Sequence, residues 1–226
     1  MELVYKGKTK DVYKLGDGNI LFKFKDDVTT DADGNFDPGA NSVGGAISGV
    51  GLASLKMSAY YFSLLHEKGV PTHFISADIA GAGMTVKPAE KFGTDNLEVI
   101  CRFRAIGSFY RRYKAYCTEG MELDALVEFT LKDDALGDPF IDKYVLMQLK
   151  ILSEFEYATI VTMTKRVAGI MKDDLAEKGL ELYDAKFEFG KINGEIVLID
   201  EMSPGNFRAY KDGRWIQPLE LAGYYK

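Results

Sequence analysis

The chain has 226 residues, 46% of them hydrophobic and 27% charged, and carries a net charge of −6. That length can bury a sizeable core as one domain or two small lobes. The acidic balance and the absence of a Lys/Arg-rich run argue against nucleic acid as a partner, because phosphate-backbone binding needs a clustered positive surface. A phosphorylated small molecule is not excluded, since a few placed Arg and Lys side chains suffice. Cys101 and Cys117 have neither the density of a disulfide scaffold nor zinc-ligand spacing, so both are expected to be reduced. The N-terminal MELVYKGKTK lacks the apolar core of a signal peptide, and no apolar run approaches the length of a membrane span. A cytoplasmic protein without membrane contact is expected. With His66 and His73 as the only histidines, a His-based triad or His-rich metal centre is not expected.

From the N-terminus, short strands are predicted at 2–6, 10–15 and 20–25, the last two joined by the turn Gly16-Asp17-Gly18-Asn19. They read as a twisted antiparallel sheet. In YKGKTKDVY, Lys8 and Lys10 are expected on one face of a strand, with Gly7 letting backbone approach a phosphate that the two ammonium groups neutralise. A lysine-rich edge strand that discourages aggregation would look the same. The Gly-rich segment 35–51 reads as either a mobile loop or a disordered stretch, and loops of that length are often lids. A helix follows at 52–68, ended by Gly69 and Pro71, then strands at 72–76, 84–87 and 97–104.

CRFRAIGSFYRRY sets Arg102 and Arg104 on one strand face before Gly107-Ser108, where Ser108 is a natural N-cap. A helix N-terminus beside arginines is a ready anion site, although Ser108 capping a helix near surface arginines would read the same way. A helix at 108–115 and a strand at 127–132 lead to LKDDALGDPF, which holds Lys132, Asp133, Asp134 and Asp138 around a turn. Helices are predicted at 142–151 and 154–178.

The last elements form a hairpin. In YDAKFEFGKINGEIVLIDE, Asp184, Lys186 and Glu188 alternate with Ala185, Phe187 and Phe189, the period-two pattern of a strand with one polar and one apolar face. Asn193-Gly194 suits a tight turn, and the returning strand brings Asp200 beside Glu188. Two such carboxylates repel unless something positive sits between them, which fits a magnesium site. A solvated face with charges paired by Lys186 is the alternative.

Taken in order, YxGKxKxVY, RxRAxGS, KDDxxGDP, DxKxEFG and the DE and SPxxxR segments resemble the SAICAR synthetase family over residues 5–208. The resemblance implies an α+β, two-lobed, ATP-grasp-like fold. Its N-terminal antiparallel, nucleotide-binding lobe would span 1–104, and a mixed α/β lobe with the substrate and magnesium site would span 105–226. It implies an ATP-dependent carboxylate–amine ligase using ATP and Mg2+, with a phosphorylated imidazole ribotide and aspartate as small-molecule partners; a homodimer is compatible with it.

By the same resemblance, Lys8, Lys10 and Lys87 would contact nucleotide, with Glu98 on the hinge-side strand near the adenine. Glu188 and Asp200 would bind the metal, while Lys186 and Asp184 would be catalytic. Arg102, Ser108, Arg208, Lys132 and Asp138 would bind substrate. The chain departs from the family pattern at Gly205, Tyr210, Val50–Leu55 and Ile106, around 91–96, and in stopping before the family's DKDxFR segment. Three readings follow: a divergent SAICAR synthetase, a paralogue joining another carboxylate to another amine, or a nucleotide-binding regulator without turnover. Retention of Lys8, Lys10, Glu188 and Asp200 weighs against the third.

Overall fold

The computed structural model describes residues 1–30 and 42–225. Its first sheet has the order β1-β2-β3-β7-β6 and is antiparallel throughout. The strands are β1 (Glu2–Lys6), β2 (Lys10–Lys14), β3 (Ile20–Phe24), β6 (Phe74–Asp78) and β7 (Gly83–Val86). A small ribbon pairs β4 (Asp27–Thr30) with β5 (Ser42–Ala46). The loop expected at 35–51 is therefore strand and helix from Ser42 onward, apart from a short connection, while 35–41 lie outside the described residues. Helix α1 (Val50–Glu67) starts two residues earlier than its apolar spacing suggests. Its cap comes from far away: the Asp26 carboxylate accepts from the Gly49 and Gly51 amides at 3.1 and 2.9 Å.

The second sheet runs β13-β12-β10-β8-β9, with β11 also pairing β10. Its strands are β8 (Leu97–Arg104), β9 (Glu122–Leu131), β10 (Glu181–Ile192), β11 (Glu195–Ile199), β12 (Phe207–Lys211) and β13 (Arg214–Trp215). Because β8 pairs with both β9 and β10, a lobe boundary after Arg104 would cut this sheet; the strands change partners between Val86 and Leu97. The named strands of this sheet also pair antiparallel throughout, and with the helices that follow they make the mixed α/β second lobe that was expected.

Helices α2 (Gly107–Tyr113), α3 (Lys143–Gln148), α4 (Glu154–Glu177) and α5 (Pro218–Ala222) complete the chain. Helix α4 opens with a capping box between Ser153 and Glu156 and packs on β8, β9 and β10. Helix α1 packs on the first sheet and on α5. Phe62, Leu65, Phe187 and Phe189 lie in one continuous core. Both cysteines are free, and burial pushes the Cys101 thiol up to about 12. No helix among the described residues is long and apolar enough to cross a membrane.

Two glycines have steric reasons. A Cβ on Gly7 would stand 2.5 Å from the Lys10 carbonyl oxygen, to which the Gly7 amide donates at 2.9 Å. A Cβ on Gly190 would stand 2.8 Å from the carbonyl oxygen of Glu90, whose backbone pairs with Lys191. That pairing fastens the interlobe segment to the hairpin.

Candidate active site

β10 positions most of the site. Its apolar alternates, Ala185, Phe187 and Phe189, fill the core, as the period of two requires. Two of the polar alternates do not face bulk solvent: Asp184 and Glu188 are only 4% and 6% exposed, the first held by Arg102 and Arg208 and the second by Asn96 and Lys132. The expected half-buried ribbon is thus buried on both sides at these positions.

The hairpin turns at Asn193-Gly194, both with positive φ, and puts Ile199 opposite Glu188. Simple alternation would then send Asp200 to the far side of the ribbon. Instead β11 stops and Asp200 takes φ 68°, so that its carboxylate reaches the same cavity as Glu188. That cavity has a volume of about 760 Å3 and is walled by Lys8, Lys10, Lys87, Glu98, Lys132, Asp138, Lys186, Glu188 and Asp200. Its apolar end is lined by Val12, Ile20, Phe22 and Val86.

Lys10 lies 2.8 Å from both Asp200 and Glu201, Lys132 lies 2.5 Å from Glu188, and Lys186 lies 2.6 Å from Glu98. Three ammonium groups thus face four carboxylates, a surplus of one negative charge. Burial and the Asp200 charge raise the Glu188 carboxyl above its ordinary value, against the pull of Lys132. Burial alone would raise Asp200 as well, but Lys10 and Lys132 outweigh it and hold that carboxyl well below the usual range. Burial opposes the charge on Lys186; Glu98 and the other acids prevail, so it stays cationic. A lysine held in that state supplies a field and cannot serve as a base.

A smaller cavity of about 140 Å3 adjoins the first and shares Glu98, Asp138 and Lys186 with it. Its other walls include Arg102, Ser108, Asp184 and Arg208. Every residue expected at the site therefore lines one cavity or the other.

Several expectations about roles are corrected. Lys8 is not on a strand with Lys10 but in the turn Gly7–Thr9, where it pairs with Asp134 at 2.6 Å. Gly7 serves that turn's own close approach. Ser108 does not cap α2: Ile106 occupies the N-cap position, and the Ser108 hydroxyl accepts from Arg102 at 2.9 Å. Arg102 is not an open phosphate ligand, because its guanidinium also donates to Glu128 at 2.6 Å and Asp184 at 3.0 Å. Asp184 also accepts from Arg208 at 2.8 Å, so it orients two guanidinium groups and stands apart from the Glu188–Asp200 pair. Glu98 faces the ionic cluster, bonding Lys186 and Thr130, and not the apolar end.

The sequence reading missed four residues. Glu201 pairs with Lys10, and its signal was its place directly after Asp200. Asn96 donates to Glu188 at 3.0 Å from a residue with φ 86°, Glu128 anchors Arg102, and His73 reaches the Asp200 carbonyl. None of these three carried a local pattern. Their partners lie 26 to 127 positions away.

The two carboxylates fit a magnesium ion by donor chemistry. Mg2+ takes hard oxygens, usually one or two from protein and the rest from phosphate and water. No group of three or more His, Cys, Asp or Glu among the described residues is arranged to hold a metal.

A cavity between two sheets with lysines and carboxylates at one end, adjoined by a smaller cavity lined by arginines, fits an enzyme of the phosphoryl-transfer type, built to bring anions together. Comparison with known proteins narrows that class. The SAICAR synthetase family model matches residues 3–218. A phosphoribosylaminoimidazole-succinocarboxamide synthase of Clostridium tetani is 56% identical over 223 residues, covering 98% of this chain and 97% of that protein. The Coprothermobacter proteolyticus enzyme of the same name is 38% identical, covering 92% and 84%. A solved SAICAR synthetase in complex with ADP superposes with a TM-score of 0.83 at 34% identity, covering 94% of this chain and 87% of that one. The Pyrococcus horikoshii structure gives 0.80 at 33%, covering 92% and 87%. The chain belongs to the SAICAR synthetase family, and it is an ATP-dependent ligase that forms a C–N bond.

Proposed function

We propose that this ligase joins the carboxylate of carboxyaminoimidazole ribotide to the amine of L-aspartate. The γ-phosphoryl group of ATP passes to a carboxylate oxygen, giving ADP and an acyl phosphate. The aspartate amine then attacks the acyl carbon, the C–O bond to phosphate breaks, and SAICAR and phosphate leave with loss of a proton from nitrogen. The observation that carries this reading is the pair of adjoining cavities that share Lys186 and Glu98 at their junction. One has lysines for a triphosphate and a carboxylate pair for the cation that would accompany it; the other has guanidinium groups for a ribotide.

In this reading Lys8, Lys10 and Lys87 contact the nucleotide. Glu188 and Asp200 hold Mg2+, which when bound supplies charge neutralisation for the transferring phosphoryl group. Lys186 lies at the junction and offsets the repulsion between the two anions. Arg208 and the Ser108 hydroxyl face the ribotide phosphate, with Arg102 and Asp184 orienting them. Lys132 and Asp138 border the acceptor.

ADP release measured with carboxyaminoimidazole ribotide and aspartate together, and with each omitted, tests the proposal. Release that requires both supports it. Release with another carboxylate or amine but not this pair, or ATP binding without turnover under any pair, would overturn it.

A further inference from the structure

Asp200 reaches Glu188's side of the ribbon only because its backbone is left-handed, a conformation that non-glycine residues adopt when something holds them. One side chain is placed to do so. His73, just before β6, is 3% exposed and packs against the rings of Phe22 and Phe62, with centroids 5.8 and 5.6 Å away. Its Nε2 lies 2.9 Å from the Asp200 carbonyl oxygen. A carbonyl can only accept, so Nε2 carries the proton and donates. The His73 backbone is fixed from both lobes: its amide donates to Leu198 at 3.0 Å, and its carbonyl accepts from Lys87 at 2.8 Å. The imidazole thus spans the end of β11 and the carbonyl that has left the sheet.

We propose that His73 is a positioning residue whose Nε2–H locks the left-handed turn at Asp200 and so aims that carboxylate at the cation. This rests on the magnesium reading above. It assigns His73 no contact with substrate, nucleotide or metal.

Calorimetric titration of ADP with Mg2+, and again with EDTA, separates the possibilities in wild type, His73→Phe and His73→Gln. Loss of a residue that orients a metal ligand typically weakens the metal-dependent part of binding by about 10- to 100-fold. His73→Phe is expected to lose about tenfold or more of the Mg2+-dependent gain while keeping its EDTA-state affinity. His73→Gln, whose amide can donate at similar reach, should recover most of the gain. An unchanged gain in His73→Phe overturns the proposal, as does an equal loss with and without Mg2+, which marks a structural role alone. Wild type showing no Mg2+-dependent gain overturns the metal reading and this proposal with it. Should His73→Phe fail to fold, 15N spectra of the wild-type ring decide: a proton on Nε2 supports the lock, and one on Nδ1 alone overturns it.

Discussion

Lys132 Nζ lies 2.5 Å from Glu188 Oε1, and its charge also acts on Asp200, so one lysine offsets both acids of the proposed cation site. Lys132 is 41% exposed and free to turn toward water when displaced. Glu188→Gln and Asp200→Asn should each lower turnover by at least about 100-fold, because each removes an anionic oxygen ligand of the proposed Mg2+ and with it the neutralisation of the transferring phosphoryl group. The unfolding midpoint of Glu188→Gln should move by less than about 2–4 °C, since a carboxylate disfavoured by burial and by Asp200 is lost, whereas Asp200→Asn should fall further because Lys10 loses a buried partner. Near-normal turnover in both variants would remove the metal assignment.

The two cavities predict a division of kinetic effects. Lys8 lines only the larger and Arg208 only the smaller. Lys8→Ala should raise KM for ATP and leave that for the ribotide near wild type, at a stability cost under about 1 kcal/mol, because its pair with Asp134 is exposed. Arg208→Ala should do the reverse and also destabilise by about 1–3 kcal/mol, since buried Asp184 loses one of its guanidinium partners. Steady-state kinetics with each substrate varied would show an exchanged or shared effect if the cavities are misassigned.

Gly7→Ala tests the turn that sets Lys8 beside the cavity. The added methyl meets a backbone oxygen at 2.5 Å, which no side-chain rotation relieves. A loss of about 1–3 kcal/mol is expected by chemical denaturation, together with weaker ATP binding. Unchanged stability and affinity would show that the turn relaxes freely.

Acid stability has a traceable contributor away from the cavities. Burial alone would raise the Glu156 carboxyl, but the Lys191 ammonium and the Ser153 amide and hydroxyl prevail and hold it at about 2. Its folded value lies below its unfolded one, near 4.5. Its contribution is therefore complete above about pH 4.5 and lost as pH falls toward 2. Glu156→Gln keeps the capping-box geometry and removes the charge. Its stability deficit should be clear at pH 7 and vanish near pH 2; a deficit independent of pH would mean that the cap, not the Lys191 pair, matters.

What could be read from the residues follows the range of the interactions. Strict alternation along β10 and the Asn193-Gly194 turn announce a hairpin with one charged side, and that is what forms. Helices α1 and α4 were visible, the first from apolar spacing and a Gly69 stop. The β4–β5 ribbon was hidden because β5, SVGGA, has a glycine-rich composition that resembles loop, and β13 and α5 are too short to show a period. At the site, Lys10, Lys186, Glu188 and Asp200 stood out because charged residues recur at fixed spacing along single strands. The engagement of Arg102 with Glu128 and Asp184 was not legible, for it joins β8 to β9 and β10, and only sheet order reveals it. Nor was the left-handed turn at Asp200, which depends on register.

Lys186 and Glu98 belong to both cavities at once, so their chemistry is a property of the junction and not of either ligand. On the proposed assignment, Arg208, Ser108 and Arg111 line the smaller chamber alone, and a change of acceptor preference would fall there, away from the lysines around the triphosphate. Such a partition would let one half of the reaction diversify while the other half stays constant.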